Sequence, residues 1–331
     1  MNPLFFFLAL LLTGCQHRPS NKIPISDQNS IFEADAHPVQ LLDRGAGEGP
    51  AWHPELGLLF SGSGRITRYA RDGSATVYRE QVSNGLMFDA KGRLVACEPG
   101  LRRVTRKEAD GTIIVLTDQY EGSRYNSPND LSIDSSGRIY FSDPRYGSRD
   151  GMEMRDADDR EIEGVYRIDP DGTVSRVITH EVDRPNGVLV SLDGRFLYVA
   201  DNNNNNEGGA RKLWKFDLDP ATGDVDLASQ ILVFDWGTSR GPDGMAQDRQ
   251  GRLYVAAGLN QAHLPFETVE PFRAGIYVLS PDGELLAFVP VGNDEVTNCA
   301  FGDEDLRTLF ITAGGTLWSI RTSVPGAPVW P

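Results

Sequence analysis

The chain has 331 residues, 40% of them hydrophobic, with a formal charge of −15, 35 glycines and 20 prolines. The acid excess excludes a nucleic-acid partner, because binding phosphates needs a basic face. The glycine and proline content points to many turns rather than long helices, in one large all-β domain or two ordinary ones.

At the start, Phe5 to Leu12 form an apolar run of eight residues, too short to span a bilayer. The run leads into Leu12-Thr13-Gly14-Cys15, which resembles a bacterial lipobox. The resemblance implies a signal peptide over residues 1–14 and a diacylated Cys15 that holds the protein at a membrane surface of the bacterial cell envelope. An ordinary cleaved secretory signal is the alternative. Residues 15–31 read as the lipidated Cys and a flexible polar tether, and the folded domain is expected over 32–331. Cys97 and Cys299 sit in apolar runs and are expected as buried free thiols. No CxxC or Cys/His cluster supports zinc or redox chemistry.

Further along, six segments fall into register: "EGPAWHPELGLLFSG" from Glu48, "NGLMFDAKGRLVACE" from Asn84, "NDLSIDSSGRIYFSD" from Asn129, "NGVLVSLDGRFLYVAD" from Asn186, "DGMAQDRQGRLYVAA" from Asp243 and "NCAFGDEDLRTLFITA" from Asn298. Their first residues lie 36, 45, 57, 57 and 55 positions apart. Each has a polar first residue, an alternating strand, a turn usually carrying Asp and Gly, and a second β-rich run, which is a hairpin signature. Runs such as "GVYRIDPDGTVSRVI" and "GIYVLSPDGELLAFV" supply a further hairpin between copies. Two hairpins per unit make a four-stranded blade, and six such units predict an all-β, six-bladed β-propeller.

In a propeller the innermost strands line the central channel, so their first residues crowd at one mouth. Glu48, Asn84, Asn129, Asn186, Asp243 and Asn298 are all acids or carboxamides. Any one of them alone would read as a turn cap. Six aimed at one axis describe a central hard-cation site, best suited to Ca²⁺, with Mg²⁺, Mn²⁺ or Zn²⁺ as substitutes.

"EGPAW", "SPNDL", "RPNGV" and "GPDGM" resemble, in order and in phase, the ligand-bearing motifs of the SMP-30/gluconolactonase/luciferin-regenerating-enzyme-like family. The resemblance runs from about residue 45 to 320. It implies one catalytic divalent ion, usually Ca²⁺, held by Glu48, Asn129, Asn186 and Asp243, and hydrolysis of lactones, with a sugar lactone as the expected substrate. Asn84 and Asn298 match no ligand motif and are expected behind the ligands or along the channel. Asp243 is the expected general base, with a direct nucleophilic role as the alternative.

Arg184, His263 and Asn84 are candidate substrate contacts. Asp143 and Asp201, at the ends of second strands, are expected either to lie near the mouth or to cap loops, Tyr146 to pack, and both the insert 150–163 and the run Asn202–Asn206 to be solvated loops. A monomer is expected. Two competing functions stand beside the lactonase: a phosphotriesterase-like hydrolase using the same site, and a non-catalytic propeller that binds a ligand or protein around a structural Ca²⁺.

Overall fold

A single local device shapes the hairpin turns. In "DSSGR", Asp134 Oδ1 accepts the N–H groups of Ser136 and Arg138 at 2.9 Å, while its Oδ2 takes Arg138 Nε at 2.6 Å. Asp89 and Asp248 repeat the clasp with Arg93 and Arg252. Two further turns use substitutes: Ser191 Oγ receives the N–H groups of Arg195 and Phe196, and His53 Nδ1 those of Glu55 and Leu56. Each clasp satisfies turn N–H groups that no strand can reach.

These hairpins build six four-stranded antiparallel sheets in a computed structural model that describes residues 28–327. The expected signal segment, Cys15 and most of the tether lie outside the described residues. Blade 1 comprises Glu48–His53, Gly57–Gly62, Arg65–Tyr69 and Ala75–Arg79. Blade 2 comprises Leu86–Phe88, Leu94–Glu98, Arg103–Lys107 and Ile113–Thr117. Blade 3 comprises Leu131–Ile133, Ile139–Asp143, Gly164–Ile168 and Val174–Ile178. Blade 4 comprises Pro185–Val190, Phe196–Asn202, Arg211–Leu218 and Val225–Asp235. Blade 5 comprises Met245–Gln247, Leu253–Ala257, Gly275–Leu279 and Leu285–Pro290.

Blade 6 is assembled differently. Its inner three strands, Val296–Gly302, Thr308–Ala313 and Thr316–Arg321, are sequential, but its outer strand is Val39–Leu42 from the other end of the domain. That pairing closes the ring by tying the two ends of the described domain into one blade.

Second strands carry most of the core. Leu94–Glu98, Ile139–Asp143 and Leu253–Ala257 are buried throughout, because each is covered by a neighbouring blade on both faces. Tyr125, Phe141 and Tyr166 form an edge-to-face and stacked cluster there, with centroids 5.1–5.5 Å apart.

Two expectations change. The insert 150–163 is only partly solvated: Met154 and Ile162 are buried in the blade 2–3 core, which pins the loop down. Asn202 and Asn203 are also buried, since the second strand of blade 4 runs on through Asn202. Cys97 and Cys299 are free and buried, as expected.

Candidate metal and catalytic centre

The six first residues stand one blade after another around the axis, at the channel mouth opposite the clasped turns. Glycine makes the ring narrow enough. A Cβ on Gly49 (φ +54°) would lie 2.2 Å from the carbonyl oxygen of Asn84. One on Gly187 would lie 2.2 Å from that of Asp243. The residue after a ring member is therefore glycine where the next blade presses against it.

Below the ring runs a cavity of about 520 Å³ lined by Trp52, Leu86, Phe88, Leu131, Val188 and Met245. Asp130 and Asn298 lie at its upper end, and turn residues such as Ser135 and Leu192 at its lower end. The ring thus rests on an apolar, low-dielectric floor.

That floor sets the electrostatics. Burial, then the charges of Asp243 and Asp130, push the Glu48 carboxyl well above the usual range. Burial likewise raises Asp130 to about 7. Asp243 is also raised to about 7 by burial, against the opposing pull of the Arg240 guanidinium. Three acids sense one another across the mouth, and among the described residues one guanidinium, that of Arg240, pairs with Asp243. Arg240 Nη2 lies 3.3 Å from Asp243 and 3.0 Å from Glu295.

The carboxamides divide by what their oxygens do. Asn298 Oδ1 already accepts the Cys299 N–H at 2.8 Å, and its Nδ2 points to Glu48 Oε2 at 3.5 Å. The Asn298 oxygen is therefore already engaged, and its amide nitrogen lies beside Glu48. Asn186 Nδ2 donates to the Tyr146 hydroxyl at 3.0 Å, which leaves Asn186 Oδ1 buried with no partner. Asn84 Oδ1 is also buried and unpartnered. Orphaned amide oxygens beside raised carboxylates are a donor set that fits a hard cation. Oxygen donors alone, two acids and amides, suit a hard divalent ion. Among the described residues no group of three His, Cys, Asp or Glu side chains could hold an ion, so a cation here would need the amide oxygens as well.

The other candidates fall elsewhere. Arg184 is buried, ion-paired to Glu163 at 2.9 Å, hydrogen-bonded to Asn205, and its guanidinium lies 5.5 Å from the Tyr146 ring centroid. Its donors are thus largely committed within the protein. His263 is exposed on the blade 5 loop, with Nδ1 3.5 Å from Glu267. Tyr146 does more than pack, since its hydroxyl bonds Asn186 and donates to Asn202 O at 3.2 Å. Arg240 was not foreseen at all; its only sequence signal is a place three residues ahead of Asp243.

Fold and mouth together define a class: six-bladed propellers with an axial ring of acids and carboxamides. The chain belongs to the SMP-30/gluconolactonase/LRE-like family, whose model matches residues 46–315. A gluconolactonase from Zymomonas mobilis is 32% identical, over 83% of this chain and 72% of that protein. A solved gluconolactonase from Xanthomonas campestris is 31% identical with a TM-score of 0.71, covering 93% of this chain and all of that one. Regucalcin from Agrobacterium tumefaciens, a calcium-binding protein, shares the fold at a TM-score of 0.67 and 17% identity, over 92% of this chain and 97% of its own.

Proposed function

We infer that the chain is a lactone-hydrolysing enzyme acting on a sugar lactone, with one Ca²⁺ held by Glu48, Asn129, Asn186 and Asp243. The single observation that carries the ion-holding part is the Asn186 amide. Its nitrogen is fixed by Tyr146 and its oxygen is left buried without a partner, beside two acids raised by burial. The gluconolactonases among the relatives support the substrate class.

A bound divalent ion would supply Lewis acidity at the lactone carbonyl. The chain's own part is to take the proton. Asp243 is the proposed general base, with burial favouring its protonated form and Arg240, like a bound cation, favouring the ionised one. Arg240, 3.3 Å away, limits how far Asp243 rises and so keeps a share of it ionised. The polar cavity of about 260 Å³ beside Arg184, lined by Glu161, Glu163, Asp183 and Asn203 among others, suits a hydroxyl-rich solute.

A panel of sugar lactones and one aryl phosphotriester tests this, assayed before chelation, after it, and after Ca²⁺ return, with Asp243→Ala alongside. Lactone opening that disappears on chelation and in the variant is expected. Activity that survives both sinks the metal-hydrolase reading. Preference for the phosphotriester replaces the substrate, and unfolding on chelation without any activity points to a structural ion.

The anchor on Cys15 is part of the same proposal. Ile31 and Phe32 pair with Ser323 and Thr322 beside the Arg307 turn, on the face opposite the ring. Cys15→Ser is expected to move the protein from the membrane to the soluble fraction.

A further inference from the structure

Two buried carboxylates repeat one geometry. In blade 3, Asp143 Oδ2 accepts the Asn126 N–H and Oδ1 the Ser127 N–H, both at 2.7 Å. In blade 4, Asp201 Oδ2 accepts the Asp183 N–H at 3.1 Å and Oδ1 the Arg184 N–H at 2.9 Å. The clamped N–H groups lie three and two residues ahead of a ring amide, Asn129 or Asn186, with Pro128 or Pro185 between. Proline holds its own φ, so clamping the two residues before it leaves the ring residue little freedom.

Blade 5 has the same frame in Arg240-Gly241-Pro242-Asp243 but no clamp. Asn129 N–H bonds Ser142 O and Asp243 N–H bonds Ala256 O, so Ala257 occupies the place of Asp143. Here the ring residue is itself an acid, and the residue three ahead of it, Arg240, turns its guanidinium toward that acid. A carboxylate stands behind Asn129 and Asn186, and a guanidinium beside Asp243. A further carboxylate behind Asp243 would add repulsion to an already acid-rich mouth.

We propose that Asp143 and Asp201 are positioning residues that hold the oxygens of Asn129 and Asn186 for a divalent ion, and that Ala257 belongs to the same division of charge. The inference rests on the ion-holding reading of the ring. The rival role is plain hairpin stability, for which Asp134 is a control: it too accepts two backbone N–H groups, at the far end of the blade 3 hairpin.

Asp143→Asn, Asp201→Asn, Ala257→Asp and Asp134→Asn are compared as full chains by Tb³⁺ luminescence titration, and by melting with and without Ca²⁺. An amide cannot accept at both ends, so each clamp is broken without loss of bulk. Asp143→Asn and Asp201→Asn are expected to weaken Tb³⁺ binding about tenfold or more, the scale typical of groups that orient metal ligands, and to shrink the Ca²⁺-induced rise in Tm. Ala257→Asp weakens Tb³⁺ too. Asp134→Asn lowers Tm equally with and without ion and leaves Tb³⁺ affinity alone.

If Asp201→Asn fails to fold, Trp214→Phe carries the test. It withdraws only the Nε1 donor 3.0 Å from Asp201 Oδ2, and a smaller weakening of the same sign is expected. Folded clamp variants that bind Tb³⁺ like the parent overturn the positioning role and leave the ion reading intact. A parent that binds neither Tb³⁺ nor Ca²⁺ overturns both.

Discussion

Replacing Tyr146 with phenylalanine removes one oxygen atom and tests how the Asn186 amide is aimed. The hydroxyl accepts from Asn186 Nδ2 at 3.0 Å and donates to Asn202 O at 3.2 Å. The ring and its contact with the Arg184 guanidinium survive the change. Two hydrogen bonds worth about 0.5–1.5 kcal/mol each are lost, so stability is expected to fall by about 1–3 kcal/mol. A second consequence is specific to the site. Without the hydroxyl, the bond that selects one orientation of the amide is gone, and the flipped amide would turn NH₂ toward the ion. Loss of about 1 kcal/mol of orientation preference corresponds to roughly fivefold weaker ion binding. Calorimetric titration with Ca²⁺ and urea unfolding in chelator measure the two effects separately. A variant that loses stability but binds Ca²⁺ as tightly as the parent would refute the claim that Tyr146 orients Asn186.

Three further outcomes follow from the charge and burial of the site. In chelator, Asp130 and Asp243 have folded pKa values raised to about 7 and Glu48 is raised as well. Their stabilising protonation is complete below the ordinary carboxylate range and is lost as pH rises through about 7. Tm in chelator should therefore fall from mildly acidic pH toward pH about 8, and saturating Ca²⁺ should flatten the slope; a Tm rising over that interval contradicts the assignment. Arg240→Gln strips the guanidinium from Asp243 and Glu295 and leaves buried Glu267 with Arg211 at 3.6 Å. A loss of about 3–5 kcal/mol in urea unfolding is expected, and a loss below about 1 kcal/mol would show that the network is not what balances these acids. Finally, Cys97 and Cys299 are free, buried and raised in pKa by burial. Neither should react with a disulfide reagent in the native state, and both should after denaturation; rapid native labelling would contradict their burial.

What the sequence alone determined was set by local chemistry. An Asp that reaches its own turn N–H groups two and four residues on needs no distant partner, so the "D-x-x-G-R" hairpins were legible one by one. Their six-fold phase then placed Glu48, Asn84, Asn129, Asn186, Asp243 and Asn298 at one mouth without any coordinates. "SPND", "RPNG" and "GPDG" also carried the family resemblance. The tertiary structure decided whatever depends on a contact between segments far apart in the chain. Val39–Leu42 completes blade 6 only because the ring closes on it. Met154 and Ile162 are buried because the loop that carries them folds back onto the blade 2–3 core. Asp143 and Asp201, legible as loop caps, become clamps on two ring amides once the hairpin brings strand end and ring segment together. Tyr146 gains its role the same way, by meeting Asn186 from another blade's loop, and Arg240 by tying Asp243 to Glu295 of a distant loop. A ring of residue types can be read from a repeat. The direction in which each oxygen points is set by neighbours that only the closed propeller supplies.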